Sequence, residues 1–401
     1  MKLLYKAVTR EGKVVRGIID AKDKNEAASY LRTHDFLPVS ITSQSQEGIS
    51  KLFSSMNKFN SSDVVFFTRQ LSSMLSSGLT LIQALSILKE QVRNDTVRDV
   101  INSIITEIEG GKSFSLALAK YTDIFSPVYI SLIKAAETSG LLDKILSKLA
   151  DNLEKQQKLK SSIKSALMYP LIVIIGMVIV LIVMMIFVIP QLSSLYESMN
   201  VEMPLPTQIV IGMSKMIIMF WPLLIGLVFL GTIFYRRWHK TEVGRYVVDE
   251  SKLKIPIFGK LVRQIILTQF AGTLGLLVGS GTLVVEALNQ SSGVAGNIIY
   301  QDAILGVAKR VEKGMTIGDS MGYSSVFPPI LVQMARIGEQ TGKLDESLTK
   351  VSEYFEREVD QSVKNLMTAL EPIIMAVLAI GVAFLIISII TPIYNLTTAI
   401  K

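Results

Sequence analysis

The feature that most constrains this chain is a long run without charge. Residues 171–189 contain no charged side chain, and a helix of that length rises about 28 Å, close to the ~30 Å hydrocarbon core of a bilayer. Residues 373–390 are equally free of charge. Residues 209–235 carry only Lys215, and because a lysine at mid-bilayer costs about 2.5–3.5 kcal/mol, we place that membrane segment at residues 216–235. The sequence therefore predicts three membrane helices.

Composition excludes several classes of protein. The 401 residues include no cysteine and two histidines, His34 and His239. Disulfide frameworks, zinc sites of the Cys/His type and thiol catalysis are excluded, and a histidine-based triad nearly so. The first residues carry a charge every few positions and lack an apolar run typical of a cleaved signal peptide. We therefore expect the start of the chain to stay in the cytoplasm.

Basic residues predict the orientation, because they resist translocation whereas acidic residues matter little. The loop at 190–214 has no basic residue and two glutamates. The basic residues that flank the first two predicted membrane helices are Lys155, Lys158, Lys160, Lys164, Arg236, Arg237, Lys240 and Arg245. The N-terminus and the stretch after residue 235 are thus predicted to be cytoplasmic, and the C-terminus lies outside by parity. The position of these clusters at the membrane edge argues against nucleic-acid binding.

The first 42 residues have a different sequence pattern from the rest of the chain. Two β-rich runs at 3–8 and 14–19 flank a turn at 10–13, and Asp23 with Glu26 is a variant of the capping box that opens a helix. A short strand at 38–41 completes a ββαβ module. Residues 43–62, rich in serine, asparagine and glutamine, are interpreted as a linker, with a short amphipathic helix around 52–59 as the alternative.

An internal repeat organises the remainder. The apolar spacing after Asp63 is helical, and this block can be laid over the block after residue 235 at an offset of 203 and then 202 residues. Matched pairs are Phe67 and Phe270, Gly78 and Gly281, Gly111 and Gly314, Phe125 and Phe327, Pro170 and Pro372, and Pro190 and Pro392. Each unit ends in a membrane helix, so the second membrane helix is an extra piece that makes the two units parallel. Inverted repeats, which characterise many transporters, are not what the sequence contains.

The expected fold is therefore a mainly α, polytopic membrane protein. It has two repeated cytoplasmic bundles of antiparallel helices, each followed by a membrane helix, with three membrane helices in total and the small N-terminal ββαβ module. The predicted segments are the module at 1–42, the linker at 43–62, the first bundle at 63–167, a membrane helix at 168–190, a periplasmic loop at 191–215, a membrane helix at 216–235, the second bundle at 236–371, a membrane helix at 372–391 and a periplasmic tail at 392–401.

Two motifs imitate catalytic sites. The segment 110–113, Gly-Gly-Lys-Ser, resembles the end of a P-loop, but a phosphate cradle needs glycine where Thr106 stands. The segment 318–322 matches the hydrolase pattern G-x-S-x-G around Ser320, but no histidine follows His239. We interpret the first as a helix-ending turn and the second as a loop, and we expect no catalytic residue and no cofactor.

Paired carboxylates recur in both units. Glu137 and Asp143, and their copies Glu339 and Asp345, surround a glycine turn and could offer oxygen ligands to a cation. Helix capping explains them equally well, so they are weak candidates for a metal site. The predicted membrane segments contain no ionisable residue, which argues against a proton or ion path.

The motifs together resemble the type II secretion F-protein family, which includes the inner-membrane platform proteins of type IV pili. The residues that carry the resemblance are Gly78, Gly281, Glu137, Gly140, Glu339, Gly342, Tyr169, Pro170, Pro256, Gly259 and Pro372. The second unit has Glu371 where the first has Tyr169, so the two positions need not share a role.

The resemblance implies a non-enzymatic platform in the bacterial inner membrane. Its partners would be a cytoplasmic hexameric assembly ATPase, pilin or pseudopilin subunits, other inner-membrane assembly proteins, further copies of itself and the lipid bilayer. Pilus and secretion machines share the pattern, so the choice between them stays open. The alternatives are a membrane transporter or channel subunit, and a membrane-bound receptor or enzyme.

Overall fold

The computed structural model describes residues 2–9, 14–21, 23–34, 36–43, 59–188, 190–191, 194, 205–256 and 258–399. The chain divides into two compact units, residues 1–126 and residues 127–401. The predicted turn at 10–13, most of the linker and most of the loop after residue 191 lie outside the described residues.

The first unit opens with a three-stranded sheet. Strands β1 (Lys2–Thr9), β2 (Val14–Asp20) and β3 (Phe36–Ser43) lie in the order β2-β1-β3, and both pairings are antiparallel. Helix α1 (Lys24–Thr33) connects β2 to β3. The Asp23 carboxylate accepts a hydrogen bond from the Glu26 amide at 2.7 Å, because the first amides of a helix lack partners within it. Leu3, Ala21 and Ala27 form the small core.

Among the residues of the first unit that the structure describes, four α-helices follow: α2 (Ser61–Ser76), α3 (Leu81–Gln91), α4 (Asp95–Glu109) and α5 (Phe114–Leu118), the last continued by a 3-10 turn at Ala119–Tyr121. Each of the last three begins with a side chain that caps it, from Thr80, Asn94 and Ser113. Phe67 of α2 packs against Phe125, with ring centroids 5.7 Å apart, and both rings are buried. The core of these helices is therefore built from residues of the predicted apolar faces.

The secondary structure described in the second unit is helical. The described helices are α6 (Pro127–Ser139), α7 (Leu142–Val183, continued by a π-helical turn at Met184–Val188), α8 (Leu205–Trp238), α9 (Glu242–Lys254), α10 (Phe258–Gly279), α11 (Val284–Val294), α12 (Ile298–Glu312), α13 (Ile317–Gly322), α14 (Pro329–Thr341) and α15 (Leu344–Ala399). Helix α8 begins at Leu205, so residues 205–215 of the predicted periplasmic segment are helical.

The predicted repeat is confirmed element by element. Helices α2 to α7 correspond in order to α10 to α15. The left-handed glycines that end the helices match in pairs, with φ of 88° and 85° at Gly78 and Gly281, and of 68° at both Gly140 and Gly342. A side chain at such a φ is strained, so glycine is required at the same turn of both copies.

Helix α10 packs antiparallel along α15. The side chain of Asp345 lies beside Gly279, the Ser352 hydroxyl donates to the Thr268 carbonyl at 2.9 Å, and the Ser362 hydroxyl donates to Gln264 at 2.7 Å. Early residues of α15 therefore contact the end of α10, and later ones contact its beginning. This packing makes α10 the central helix of the second bundle.

Among the described residues, three helices are long and apolar enough to cross a membrane: Leu142–Val188, Phe258–Gly279 and Leu344–Ala383. The first and third contain predicted membrane segments, and only 6% and 11% of their most apolar windows are buried. Phe258–Gly279 is α10, whose window is 61% buried inside the protein. Because α10 is sheathed by other helices and bonded to α15, we assign it to the bundle.

The second predicted membrane helix falls within α8. This helix has 34 residues, and its exposed apolar side chains include the consecutive residues Leu227, Val228, Phe229 and Leu230, which face different sides. A helix with such side chains exposed on several faces is typical of a membrane span. The predicted class of a mainly helical, repeated protein with three membrane helices is therefore confirmed.

Candidate functional site

Two helices run without a break from the bundle into the apolar segments. Helix α7 has 42 residues and α15 has 56, so α15 is about 84 Å long. Pro170 lies inside α7, and α15 likewise continues through Pro372. Proline is tolerated at membrane depth when its surroundings satisfy the freed backbone carbonyl. Each bundle is therefore joined to its membrane segment by continuous helix.

A cluster of buried side chains ties these helices together just before the charge-free segments. We call it the junction cluster; it contains Leu159, Leu261, Val359, Val363 and Leu366. Partly buried residues that pack against it are Ile163, Ala166, Ile265, Met367 and Leu370. Since its members come from α7, α10 and α15, the last helices of both copies share one apolar core.

Helices α7 and α15 also meet on either side of the junction cluster. The Lys155 ammonium lies 3.1 Å from the Glu353 carboxylate. Further along, a Cβ at Gly381 would lie 3.6 Å from the Met177 sulfur. Residue numbers increase in both helices from the first contact to the second, so the two helices run parallel. This arrangement is the one predicted from the parallel repeat.

The repeated Glu-x-Ser/Thr-Gly segments form the turns that precede these helices. In the second copy, Gly342 ends α14 and the Lys343 amide donates to the Gly338 carbonyl at 2.8 Å. In the first, the Leu141 amide donates to the Ala136 carbonyl at 3.0 Å. A Cβ at Gly338 would lie 2.9 Å from the Leu344 Cα. The turn thus brings the end of one helix against the start of the next.

The carboxylates of the weak metal candidates stand at helix ends. Both oxygens of Glu339 accept from the Ile317 amide, at 2.9 and 3.2 Å. Asp143 and Asp345 lie in the first turns of α7 and α15, where negative charge favours the helix dipole. Within the described part of the chain, no group of three or more His, Asp or Glu residues is placed to hold a metal ion. Helix capping accounts for Glu339.

The remaining motif residues fall into distinct surroundings. Tyr169 is 65% exposed beside buried Pro170, whereas Glu371 and Pro372 are both exposed, so the two copies differ where their helices approach the membrane. Gly259 packs against the Leu253 carbonyl, in the turn that contains Pro256. The basic residues used for orientation are exposed: Lys158, Lys160, Lys164, Arg236, Arg237 and Lys240.

The two segments that imitate catalytic sites have structural roles. Gly110 ends α4, and the Lys112 amide donates to the Glu107 carbonyl at 3.1 Å. The hydrogen bond from Lys112, and then that from Lys120, lower the pKa of the Glu107 carboxyl. Ser320 is fully buried in α13, so a substrate cannot reach its hydroxyl. The helix-ending turn at 110–113 agrees with the interpretation from the sequence. The loop interpreted at 318–322 is wrong, because these residues lie in helix α13.

Sequence reasoning missed a buried polar network between α9 and α12. Asp249 is 2% exposed and accepts a hydrogen bond from the Ile298 amide at 3.1 Å. Asn297 caps α12 and donates to the Asp249 carbonyl at 3.3 Å. Burial raises the pKa of the neighbouring Tyr300 to about 12. The signal available was Asn94, the matching cap in the first copy, but nothing in the sequence pairs Asp249 with Asn297.

Comparison with known proteins agrees with the geometry. Residues 67–190 and 270–392 each match the family described as type II secretion system (T2SS), protein F, and residues 4–42 match its N-terminal domain. The chain is 36% identical to the type IV pilus assembly protein PilC of Thermus thermophilus, over 98% of this chain and 97% of the relative.

Two further relatives cover nearly the same length. The type IV pilus assembly protein PilC of Pseudomonas aeruginosa is 35% identical, over 92% of this chain and 98% of its own. The type II secretion system protein F of Xanthomonas campestris is 30% identical, over 99% and 98%. The resemblance seen in the sequence is confirmed, and the chain belongs to the type II secretion system protein F family.

Proposed function

We propose that this membrane protein is the inner-membrane platform of a type IV pilus or type II secretion machine. Relatives named for both machines are similar to it over nearly their full length. In this role the protein couples a cytoplasmic assembly ATPase to the insertion of pilin or pseudopilin subunits into a filament. The role is structural and mechanical, and requires no catalytic group in the platform.

The junction cluster is the observation that carries the proposal. It binds α7, α10 and α15 to one another immediately before α7 and α15 reach their apolar segments. A displacement of the bundle is therefore passed to two membrane helices at once, because packed cores are stiff and α-helices resist bending. A push from an ATPase on one side of the membrane would reach a subunit within the bilayer by this path.

The same proposal sets the orientation. Exposed lysines and arginines lie next to the apolar segments of α7 and α8 on the side of the bundle, and basic residues stay in the cytoplasm. The bundles and the N-terminus then face the cytoplasm, where an ATPase has its nucleotide, and the C-terminus faces the periplasm.

Because the chain has no cysteine, Ser194→Cys and Lys254→Cys variants test this orientation with a membrane-impermeant maleimide on intact cells. Labelling of Ser194→Cys alone is expected.

A transporter or channel is the competing function. Transport of ions needs ionisable or carbonyl groups exposed at membrane depth, and residues 171–189 and 373–390 contain no charged residue. Deletion of the gene separates the candidates. Loss of surface filaments or of secreted proteins, with pilin retained in the inner membrane, supports the platform. Intact filaments and intact secretion, together with altered solute uptake, would instead support a transporter.

A more specific test weakens helix α15 near the membrane and leaves the packing of the bundle intact. The double variant Thr368→Gly with Ala369→Gly places two glycines at exposed positions of α15 between the core of the junction cluster and the membrane segment. The control, Asp360→Gly with Gln361→Gly, places two glycines at exposed positions where α10 supports the helix. Glycine is about 1 kcal/mol less favourable than alanine in a helix, and other ordinary residues are up to about 0.7 kcal/mol less favourable. Each pair therefore removes roughly 1 kcal/mol of helix propensity in total.

The expected outcome is loss of assembly for the first pair and retention for the second, at equal protein levels in the membrane. Filament counts and secreted protein are the measurements. Equal assembly by both variants would contradict transmission through α15. Failure of both with the protein still inserted would mean that helix stiffness within the bundle, not the junction, is what assembly requires.

A further inference from the structure

Helix α9 is the short helix that joins the membrane helix α8 to the central bundle helix α10. It begins at Glu242, after three connecting residues that follow Trp238, and it ends at Lys254 shortly before Phe258. Neither the repeat nor the proposed function assigns it a role, since it has no described counterpart in the first copy.

Both turns that flank α9 are closed by a glycine. A Cβ at Gly244 would lie 2.1 Å from the Trp238 carbonyl oxygen, and a Cβ at Gly259 would lie 2.2 Å from the Leu253 carbonyl oxygen. The Thr241 hydroxyl donates to the Trp238 carbonyl at 2.7 Å and accepts from the Gly244 amide at 3.1 Å. These contacts leave no room for a side chain, so the path from α8 through α9 to α10 is held tightly.

Both ends of α9 lie near the same membrane surface. Its first end follows Trp238, just past the predicted end of the membrane segment at residue 235. Its second end precedes α10, whose Leu261 packs in the junction cluster with Leu366 of α15. Leu366 lies seven residues before Ile373, about 10 Å along the helix. A helix about 20 Å long with both ends near one surface must run along that surface rather than away from it.

The exposed face of α9 is apolar in its first two turns, and Glu250, which pairs with Lys254, follows on the same side. Val243 is 71% exposed, Tyr246 is 47% and Val247 is 41%, and these positions share one side of the helix. Exposed Ile255 and Phe258 extend the apolar surface past the end of α9. The buried residues of α9 are Gly244, Asp249 and Leu253, through which the helix packs against the rest of the unit.

Several residues next to this face are basic or aromatic, as is typical of a protein surface that contacts an anionic bilayer. Tyr235 and Trp238 lie at the end of α8, and Trp and Tyr are enriched at membrane interfaces. Exposed basic residues at the end of α8 and in the following turn are Arg236, Arg237 and Lys240. Lys252 and Lys254 are also exposed, and they pair with Asp249 and Glu250 of α9. Clusters of lysine and arginine beside a membrane helix are attracted to anionic lipid headgroups.

We propose that α9 is an interfacial helix that lies on the lipid bilayer, with Val243, Tyr246 and Val247 inserted at the level of the headgroups. The occupant of this face is the anionic membrane surface, continuous with the lipid around α8. The second bundle thereby contacts lipid between α8 and α15, which fixes its tilt relative to the membrane. Amphipathic helices that lie in the interface behave in this way.

Spin labels test the proposal in the full-length protein. Single-cysteine variants Val243→Cys and Tyr246→Cys are labelled with a nitroxide and reconstituted in vesicles of phosphatidylethanolamine and phosphatidylglycerol. Leu283→Cys is the control, because Leu283 is 76% exposed and lies near the end of α10 that packs on Asp345, far from the membrane segment. Accessibility to oxygen, which concentrates in lipid, is compared with accessibility to a water-soluble nickel chelate.

The labels at 243 and 246 are expected to be several times more accessible to oxygen relative to nickel than the label at 283. Replacing phosphatidylglycerol by phosphatidylcholine should reduce this ratio at 243 and 246 alone. Nickel accessibility equal to that of the control would place the face in water and overturn the proposal. Protection from both reagents would show that protein covers the face, and would overturn it as well. Neither result bears on the platform role, which gene deletion tests separately.

Discussion

The Glu339 carboxylate accepts the Ile317 amide through both oxygens, at 2.9 and 3.2 Å. This contact fastens the end of α14 to the first residue of α13, where helix amides have no partner of their own. A glutamate that the sequence offers as a cation ligand thus serves as a cap from a neighbouring helix. The repeated motif around Gly342 is therefore a device for joining helices.

Removing this cap should destabilise the second bundle. Glu339→Ala leaves the Ile317 amide without its acceptor, which costs about 1–3 kcal/mol, and Glu339→Gln should lose less because one acceptor oxygen remains. Chemical denaturation of the protein in detergent measures the effect. The control is Glu346→Gln, an exposed glutamate in the first turn of α15. A loss for the control as large as that for Glu339→Ala would contradict the capping role.

Two glycines in helices should respond oppositely to alanine. Gly259→Ala forces a Cβ to within 2.2 Å of the Leu253 carbonyl oxygen, so the turn between α9 and α10 must open at a cost of about 1–3 kcal/mol. Gly293→Ala meets nothing within 4 Å and should stabilise α11 by about 0.5–1 kcal/mol. Denaturation midpoints of the two variants give the comparison. Equal shifts in the same direction would mean that the turn is looser than described.

Two buried serines form a second matched pair. The Ser320 hydroxyl has no hydrogen-bond partner among the described atoms, so Ser320→Ala should leave stability unchanged or raise it by about 1 kcal/mol. The Ser291 hydroxyl donates to the Ala287 carbonyl at 2.6 Å, and Ser291→Ala should lose about 1 kcal/mol. Both variants are compared by denaturation and by complementation of a gene deletion. Loss of assembly by Ser320→Ala at normal stability would revive a chemical role for this hydroxyl.

The contacts of Glu107 with two lysines predict that the stability of the first unit depends on pH. Its folded pKa lies below the ordinary 4.5 because Lys112 and then Lys120 donate to it. A lowered carboxyl pKa stabilises the fold above the unfolded pKa, and this stability is lost as pH falls through the folded pKa. Glu107→Gln should therefore be less stable than the unchanged chain at neutral pH, and the two should converge at acid pH.

The measurement is the free energy of unfolding of both proteins across that pH range. Glu109→Gln, at the exposed end of the same helix, is the control for the loss of one carboxylate. A difference between Glu107→Gln and the unchanged chain that stays constant from neutral to acid pH would contradict the ion pairs. So would a Glu109→Gln variant that reproduces the convergence.

Much of this architecture follows from local pattern. The paired glycines at 140 and 342 and the prolines at 170 and 372 repeat at a nearly constant offset, and the helices end or continue at those residues as the pattern predicts. The charge-free runs indicate the membrane segments, because each residue's cost in lipid depends on its own side chain. Local pattern is not sufficient for helix α10. Its composition alone would allow it to cross a membrane, whereas its burial against α15 assigns it to the bundle.

Most of the secondary structure, the parallel repeat, the number of membrane helices and the family could be read from the order of residues, because periodicity, capping and hydropathy act over a few neighbours. The junction cluster, the contact between Glu339 and Ile317 and the pairing of Asp249 with Asn297 could not. Each joins residues tens to about two hundred positions apart, and no local rule selects such partners. Tertiary packing brings them together, and at the junction cluster the packing of α7, α10 and α15 joins the last helices of both copies.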